Sequence, residues 1–303
     1  MNRLNNKFYK KNNFDKIKIA TIMSIYINTE KEELKRAIKS LENQRKINFD
    51  LLIHLDGRVK PEVYNFINKY KPKGKIINLK ISFTEICKGL AASMNYLILN
   101  NFNNYEYFAR HDSDDYSSRE RFITQINFLK ENTHIDIVGS AFSSFNSLDN
   151  GLMYDSYFPN NHNEIAKKFS YSTPIAHATV LFRKSFFLKA GLYNPNLQTL
   201  TEDSRLWYSG FYNNCIFANI PKILYFVSFN PKSYSRRSNL RQIIVIYKIR
   251  LRYIFSNKLG LVPFIQAFIE FLLRIGLAVF VNLKLNFITG KLIKYYQKSR
   301  SIN

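Results

Sequence analysis

Apolar residues over the first 140 positions switch repeatedly between two spacings. "KIKIATIMSIYI" (16–27) is a continuous β-branched and apolar run, the pattern of a strand buried on both faces. "TEKEELKRAIKSLENQ" (29–44) then places Leu34, Ala37, Ile38 and Leu41 on one helical face, with Thr29 and Glu32 spaced as a capping box. "FDLLIHL" (49–55) predicts a second strand, ending at Asp56-Gly57, and a short helix follows Pro61 with Val63, Phe66, Ile67 and Tyr70 in phase. "KIINLK" (75–80) and "YEYFA" (105–109) predict strands, with a helix between them over "GLAASMNYLILN" (89–100). An acidic turn at 112–115 leads into a helix with Phe122, Ile123, Ile126 and Leu129 on one side, and "IDIVGSAF" (135–142) predicts a fifth strand. Strands alternating with helices imply an α/β fold with a mostly parallel sheet and right-handed crossovers. Such sheets bind ligands at the carboxyl ends of their strands. Asp56 and the 112–115 turn both follow such ends, which places them in one crevice.

Beyond residue 150 the pattern loosens. One strand and a short helix stopped by Gly191 are expected within 171–194, a helix within 201–212 with acids in its first turn, and two short strands within 216–229. After Pro231 the composition changes: residues 231–303 hold 14 Lys or Arg and the single acid Glu270. Two or three helices are expected there, broken near Asn257–Gly260 and at Gly290. The division is a loosely ordered basic tail (1–15), a catalytic-sized α/β domain (16–232) and a basic helical segment (233–303).

Charge narrows the partners. The chain has 45 Lys plus Arg against 22 Asp plus Glu, a formal charge of +23, which implies an anionic partner. Two widely spaced cysteines, Cys87 and Cys215, form neither a zinc pattern nor a disulfide framework, and suit a reducing compartment. The polar N-terminus lacks the apolar run of a signal peptide, and no run of about 18 uncharged apolar residues exists, so a spanning helix is not expected. In "LVPFIQAFIEFLLRIGLAVFVNLKLNF" (261–287), Phe264, Ala267, Phe268, Phe271, Leu272 and Ile275 make one face, interrupted along the run by Glu270, Arg274 and Lys284. Such helices lie in a lipid interface with basic side chains at anionic head groups. A helical cap on the domain, or pairing of two chains, is the alternative.

Two acidic clusters carry the candidate chemistry. Asp112, Asp114 and Asp115 stand within four positions after a strand, with Arg110 before them. Crowded carboxylates repel unless something holds them, and a hard divalent cation shared with a diphosphate does so. A solvated turn in which one Asp caps the next helix is the competing reading. Glu202 and Asp203 open a helix, where acids are favoured by the dipole alone; a general base is the functional reading.

The ordered set "IMSIYI", "LKRAIKSLENQ", "LLIHLDG", "KGLAASMN", "ARHDSDDYSSRERFITQINFLKEN", "IVGSAF", "PIAHATVLFRKSFFLKAGLYN" and "TEDSRLW", covering roughly residues 17 to 230, resembles inverting family 2 glycosyltransferases of the GT-A fold, and within them the bacterial amylovoran, exopolysaccharide and capsule enzymes. The resemblance implies a Rossmann-like, mostly parallel central sheet flanked by helices. It implies that Tyr26 and Asp56 hold the donor's nucleobase, although Leu55 stands where the family usually has a second acid. Lys88 and Asn95 match a segment lying against the donor, and Arg110 matches a phosphate contact. Asp114 corresponds to the metal ligand, with Asp112 on the ribose or the metal and Asp115 supporting the turn. Asp203 matches the base; Glu202, His177 and Trp207 lie on the acceptor side, Trp207 being equally suited to anchoring its helix. Arg236 and Arg237 suit a diphosphate or the start of the basic segment. Mn2+ or Mg2+ is the implied cofactor. The implied partners are a nucleotide-sugar donor, UDP-linked, a saccharide or lipid-linked saccharide acceptor, and an anionic membrane touched peripherally on the cytoplasmic inner face. A basic nucleic-acid-binding protein is disfavoured because the acids lie where phosphates would go. A sugar nucleotidyltransferase would need a glycine-rich loop after strand one, which "SIYINTEKEE" lacks.

Overall fold

In a computed structural model of the chain, residues 18–146, 151–196, 201–229 and 239–282 are described, with 280–282 described by backbone alone. The strands among them are β1 (Ile19–Ile25), β2 (Phe49–Asp56), β3 (Ile76–Thr84), β4 (Tyr107–Arg110), β5 (Tyr116–Ser117), β6 (Ile137–Asn146), β7 (Leu152–Ser156), β8 (Leu181–Arg183) and β9 (Phe217–Phe229). They form one sheet in the order β3-β2-β1-β4-β8-β6-β9-β5, with β7 added beside β6. The pairs among β3, β2, β1 and β4 are parallel, as are β6 and β9; β8 runs against both β4 and β6.

Alternation along β1 explains its unbroken apolar run. Ile19, Met23 and Ile25 enter one core, while Ala20 and Ile22 enter a second on the opposite face. Helices α1 (Lys31–Glu42), α2 (Pro61–Lys69) and α4 (Arg121–Glu131) cover the first. Helices α3 (Leu90–Leu99), α5 (His162–Phe169), α6 (Lys184–Ala190), α7 (Glu202–Tyr212) and α8 (Leu240–Ser256) cover the second. Burying both faces is what a parallel sheet requires. It also leaves the carboxyl ends of β1, β2 and β4 side by side, as the crevice argument needs.

Several local expectations are corrected. Thr29 does not cap α1, whose N-cap is Glu30; its hydroxyl accepts from Tyr26 N–H at 3.2 Å and lies 3.4 Å from Ser113 Oγ. The two short strands expected over 216–229 are one 13-residue strand, β9. Pro221 interrupts the apolar pattern there, and the register against β6 shifts between Ser140 and Phe142, opposite Ile220–Tyr225, so the strand bends and continues. β7 and α5 lie in the region whose pattern is loose.

The C-terminal segment contains α8 and a 22-residue helix, α9 (Leu261–Asn282), separated at Asn257–Gly260 as expected, with Gly260 at φ +84°. Arg236, Arg237, Gly290, the basic N-terminal tail and the 232/233 boundary lie outside the described residues. α8 packs on α7 through Tyr253 against Phe211 (5.5 Å between ring centroids), and α9 packs on α8 through Tyr247 stacked on Phe271 (4.3 Å). The single apolar face expected on α9 is divided. Ala267 and Ala278 are buried, whereas Leu261, Val262, Ile265, Phe268, Ile269, Leu272, Leu273 and Val279 are exposed. The expectation that no segment is apolar enough to span a bilayer is also corrected: Leu261–Val279 has a mean hydropathy of 1.8 and is long enough to cross. Its two charges, Glu270 and Arg274, pair at 3.0 Å one turn apart.

Candidate active site

β4 carries the acidic loop into the crevice between β1 and β8. Its last residue, Arg110, donates its N–H to Val180 O (3.0 Å), and His111 N–H reaches Ile22 O (3.1 Å). The loop beyond is held from three directions. Asp112 N–H donates to the hydroxyl of Tyr225 on β9 (3.0 Å). Arg36 of α1 donates to Asp114 O (3.0 Å), and Asp115 Oδ1 accepts from Ser228 N–H of β9 (2.7 Å). β5, which closes the loop, pairs Tyr116 with Phe226, and their rings stack at 4.5 Å.

Beneath the loop lies a wholly buried guanidinium. Arg121, the first residue of α4, donates to Arg110 O (2.9 Å) and Val180 O (3.3 Å) through Nη2, to Ser117 Oγ (3.1 Å) through Nη1 and to Gln125 Oε1 (3.2 Å) through Nε. It also stands 4.7 Å from the centre of the Tyr225 ring. Burial lowers its pKa to about 10, so it stays charged at neutral pH. Both ends of the acidic loop therefore hang on one side chain.

Asp112, Asp114 and Asp115 each offer an oxygen within 4.8 Å of the others. Asp112 is ion-paired with Arg110, and Asp115 is 2% exposed and holds the backbone, as expected of a turn support. The Asp114 carboxylate accepts from its own backbone N–H and, among the described residues, from no other side chain. Burial, then the charges of Asp112 and Glu33, push it up to about 6. Burial, then Asp114 and Asp112, push Asp115 well above the carboxylate range. Three carboxylates in mutual repulsion, one of them bonded to nothing beyond its own backbone, suit a hard cation that prefers oxygen ligands.

The second cluster opens α7. Glu202 is 7% exposed, and burial followed by the Asp203 charge raises it to about 7. Burial also raises Asp203, against the bonds its Oδ1 accepts from Ser204 N–H (2.6 Å) and Ser204 Oγ (3.2 Å). Arg110, buried, lies close enough to act on Asp112, Asp114, Asp115, Glu202 and Asp203 alike. The two clusters, some 90 residues apart in sequence, thus share one cation. His177 joins them at the side. Its Nε2 meets Tyr193 Oη at 2.8 Å, and burial followed by the Arg110 charge holds it well below its usual range, hence neutral.

Other expected residues have different work. Asp56 is 3% exposed; its Oδ1 accepts from Lys88 N–H (2.7 Å), and its Oδ2 accepts from Gly89 N–H (2.8 Å) and Cys87 Sγ (3.2 Å). It braces the 87–89 segment, where Lys88 itself is exposed. Asn95 is spent in a reciprocal pair with Tyr193: Nδ2 donates to Tyr193 O (2.8 Å) and Oδ1 accepts from Tyr193 N–H (2.9 Å). Trp207 is 1% exposed against His177, Phe182, Phe186 and Phe217, which corrects the stacking role and leaves it as a helix anchor. Tyr26 sits on the turn that reaches the acidic loop through Thr29 and Ser113. Sequence reasoning passed over Arg121, Tyr193 and Tyr225. Tyr193 lies within electrostatic reach of Arg110, Glu202, Asp203 and Asp112. In the sequence these are one charge in "SSRERF" and two of 20 tyrosines, with no spacing to mark them.

Comparison with known proteins places the chain in a family. The pattern described as "Glycosyl transferase family 2" matches residues 21–189. The UDP-Gal:alpha-D-GlcNAc-diphosphoundecaprenol beta-1,3-galactosyltransferase of Escherichia coli is 26% identical over 271 residues, 89% of this chain and 92% of that protein. The amylovoran biosynthesis glycosyltransferase AmsE of Erwinia amylovora is 24% identical over 258 residues, 84% and 91% of the two chains. The fold is similar to that of S. aureus TarS 1–349 in complex with UDP, with a TM-score of 0.57 and 17% identity over 94% of this chain and 88% of that one.

Removing the Arg121 charge tests the scaffold. Arg121→Met leaves Arg110 O, Val180 O and Ser117 Oγ without their donor and should lower stability by about 3–5 kcal/mol in urea denaturation. Arg121→Lys should recover only part, since one ammonium cannot reach acceptors spread around a planar fork.

Proposed function

Because the chain belongs to glycosyl transferase family 2, we propose that it transfers a hexose from a nucleoside-diphosphate sugar, UDP-linked, to a saccharide or lipid-linked saccharide in surface polysaccharide synthesis, with inversion at the anomeric carbon. The observation that carries this reading is Arg110, which is ion-paired with Asp112 and lies within electrostatic reach of both the Asp112–Asp115 loop and the Glu202–Asp203 pair. The first cluster suits a diphosphate with its cation; the second suits the attacking hydroxyl. The relatives' printed names, one using UDP-galactose and one in amylovoran biosynthesis, support the donor and the setting.

Asp114, with Asp112, would hold Mn2+ or Mg2+. When bound, that ion offsets the charge that develops on the departing diphosphate. Asp203 accepts the proton of the acceptor hydroxyl as its oxygen attacks C1 from the face opposite the diphosphate. The C1–O bond to phosphate breaks, and its electron pair leaves with the nucleoside diphosphate. A single in-line displacement inverts the configuration. Arg110 keeps Asp112 and Asp203 apart in charge, so that one cluster can serve the anion while the other serves the proton. Glu202 neighbours the base on the acceptor side. His177 and Tyr193 buttress α7 by their mutual hydrogen bond. Asp56 shapes the 87–89 segment against the donor, with Lys88 near its phosphates and Tyr26 beside its base.

The basic segment has a lipid-facing form. The exposed row of α8 holds Arg241, Ile244, Lys248, Arg252 and Phe255, and the outer side of α9 is apolar. We propose peripheral docking of these helices on the inner face of the cytoplasmic membrane, where each Lys or Arg near anionic lipid contributes about 1 kcal/mol.

Turnover of UDP-sugars with Mn2+ tests the first reading. Asp203→Asn should lower transfer by about 10²–10⁴-fold, and Asp114→Asn should abolish the response to Mn2+. Undiminished transfer in either variant would remove that residue from its role, and a product of retained configuration would remove Asp203 as base. Ionisation of the second cluster predicts the pH profile: kcat/KM should fall as pH drops below about 7, where Glu202 takes up its proton, and Glu202→Gln should move that limb downward. For docking, the full chain should cosediment with vesicles containing phosphatidylglycerol and much less with phosphatidylcholine alone. Phe268→Asp with Leu272→Asp should release it. A chain that ignores both vesicles and sediments as a dimer would assign the apolar face to a second copy.

A further inference from the structure

α9 is apolar apart from one edge. Glu270 and Arg274 are its only charged residues between Leu261 and Asn282, and their Oε1 and Nε lie 3.0 Å apart. Their side chains are 12% and 19% exposed, so the pair faces the protein rather than water. One turn earlier, Gln266 continues the same edge, and its Oε1 is buried without a partner among the described residues. A buried ion pair is a weak source of stability, often no better than apolar residues of the same size. A helix that needs only to pack would carry leucines there.

Two placements suggest a use. Arg274 lies close enough to Asp203 for its charge to act on that carboxylate. The opposite side of the same helix is the exposed apolar stripe through Ile265, Phe268, Leu272 and Val279. An α-helix with its side chains is about 10–12 Å across. When the outer stripe rests in the lipid interface, the inner edge therefore stands at the depth of phosphate groups. A lipid diphosphate held at that depth would stand level with Arg274.

We propose that Arg274 binds the diphosphate of a lipid-linked acceptor, exchanging its bond to Glu270 for the phosphate oxygens and thereby setting the acceptor sugar against Asp203. This rests on the glycosyl-transfer and membrane-docking readings above. Planar guanidinium suits the task because it meets two phosphate oxygens at once, and Glu270 keeps it neutralised and oriented while the site waits. Gln266 supplies a further polar group on the same edge. In this arrangement α9 both docks the enzyme and reads the head of its acceptor.

The test is binding of farnesyl diphosphate to the full chain, with UDP and Mn2+ saturating so that the donor's own diphosphate site is filled. Arg274→Gln should weaken the farnesyl diphosphate Kd about tenfold, Arg274→Lys less, and Glu270→Gln should tighten it by removing the competing anion. A packing role alone would make Glu270→Gln weaken binding or leave it unchanged, which would overturn the proposal. So would a Kd indifferent to Arg274→Gln. Inorganic pyrophosphate and farnesol are the control ligands: equal affinity for pyrophosphate would overturn the lipid assignment, and equal affinity for farnesol would overturn the diphosphate. If UDP with Mn2+ fails to bind at all, the glycosyl-transfer reading falls instead, and that failure is seen before farnesyl diphosphate is added.

Discussion

A single guanidinium without contact to water holds the acidic loop in position. Arg121 ties the carbonyl of Arg110, where β4 ends, to Ser117, where β5 ends, and to Val180 just before β8. The loop is short, crowded with like charge and surrounded by burial; left alone it would spread. Every donor of Arg121 is aimed at backbone or at a neutral side chain, so its charge is not cancelled by a direct ion pair. It remains available to offset the Asp112–Asp115 field from below, while Arg110 does so from within. Tyr225 completes the support, with one face toward Arg121 and its hydroxyl under Asp112 N–H.

This explains how a molecule of charge +23 can concentrate acid at one place. Two buried arginines serve five carboxylates, and the imbalance is left open at Asp114, where burial and repulsion outweigh the pull of Arg110 and the bond from its own backbone N–H. Structural carboxylates in the same protein look different. Asp56 accepts three hydrogen bonds, and Asp136 accepts from Ser185, Lys189 and Ile216 N–H. The contrast between satisfied and unsatisfied acids, more than their number, separates scaffold from site.

The C-terminal helices extend the same logic to the surface. Tyr247 on Phe271 and Tyr253 on Phe211 chain α9 to α8 and α8 to α7, so the helix with the apolar outer stripe is mechanically continuous with the helix that begins at Glu202. A surface attached in this way cannot tilt on a bilayer without moving the approach to Asp203. On the proposed reading, binding at the membrane and presentation of an acceptor would be consequences of one packing arrangement.

How much of this was legible beforehand follows from the range of each interaction. The alternation of apolar spacing from β1 through α4 is local, and it marked the sheet, its flanking helices and the strand ends at Asp56 and Asp112. Ordered short motifs marked the family. Local pattern misled at Thr29, whose hydroxyl serves Tyr26 and Ser113 in place of α1, and at Pro221, where β9 bends instead of stopping. It could not assign Asn95, Trp207 or Asp56, because a side chain's partner across 30 to 100 residues leaves no periodic trace. Sequence by itself determined which segments would be buried and where acid would gather, since both depend on neighbours along the chain. Only the tertiary structure decided which acids were spent and which were left unpaired, because hydrogen-bond partners such as Ser228, Tyr193 and Arg121 arrive through folding, and burial sets each carboxylate's charge only after they have arrived.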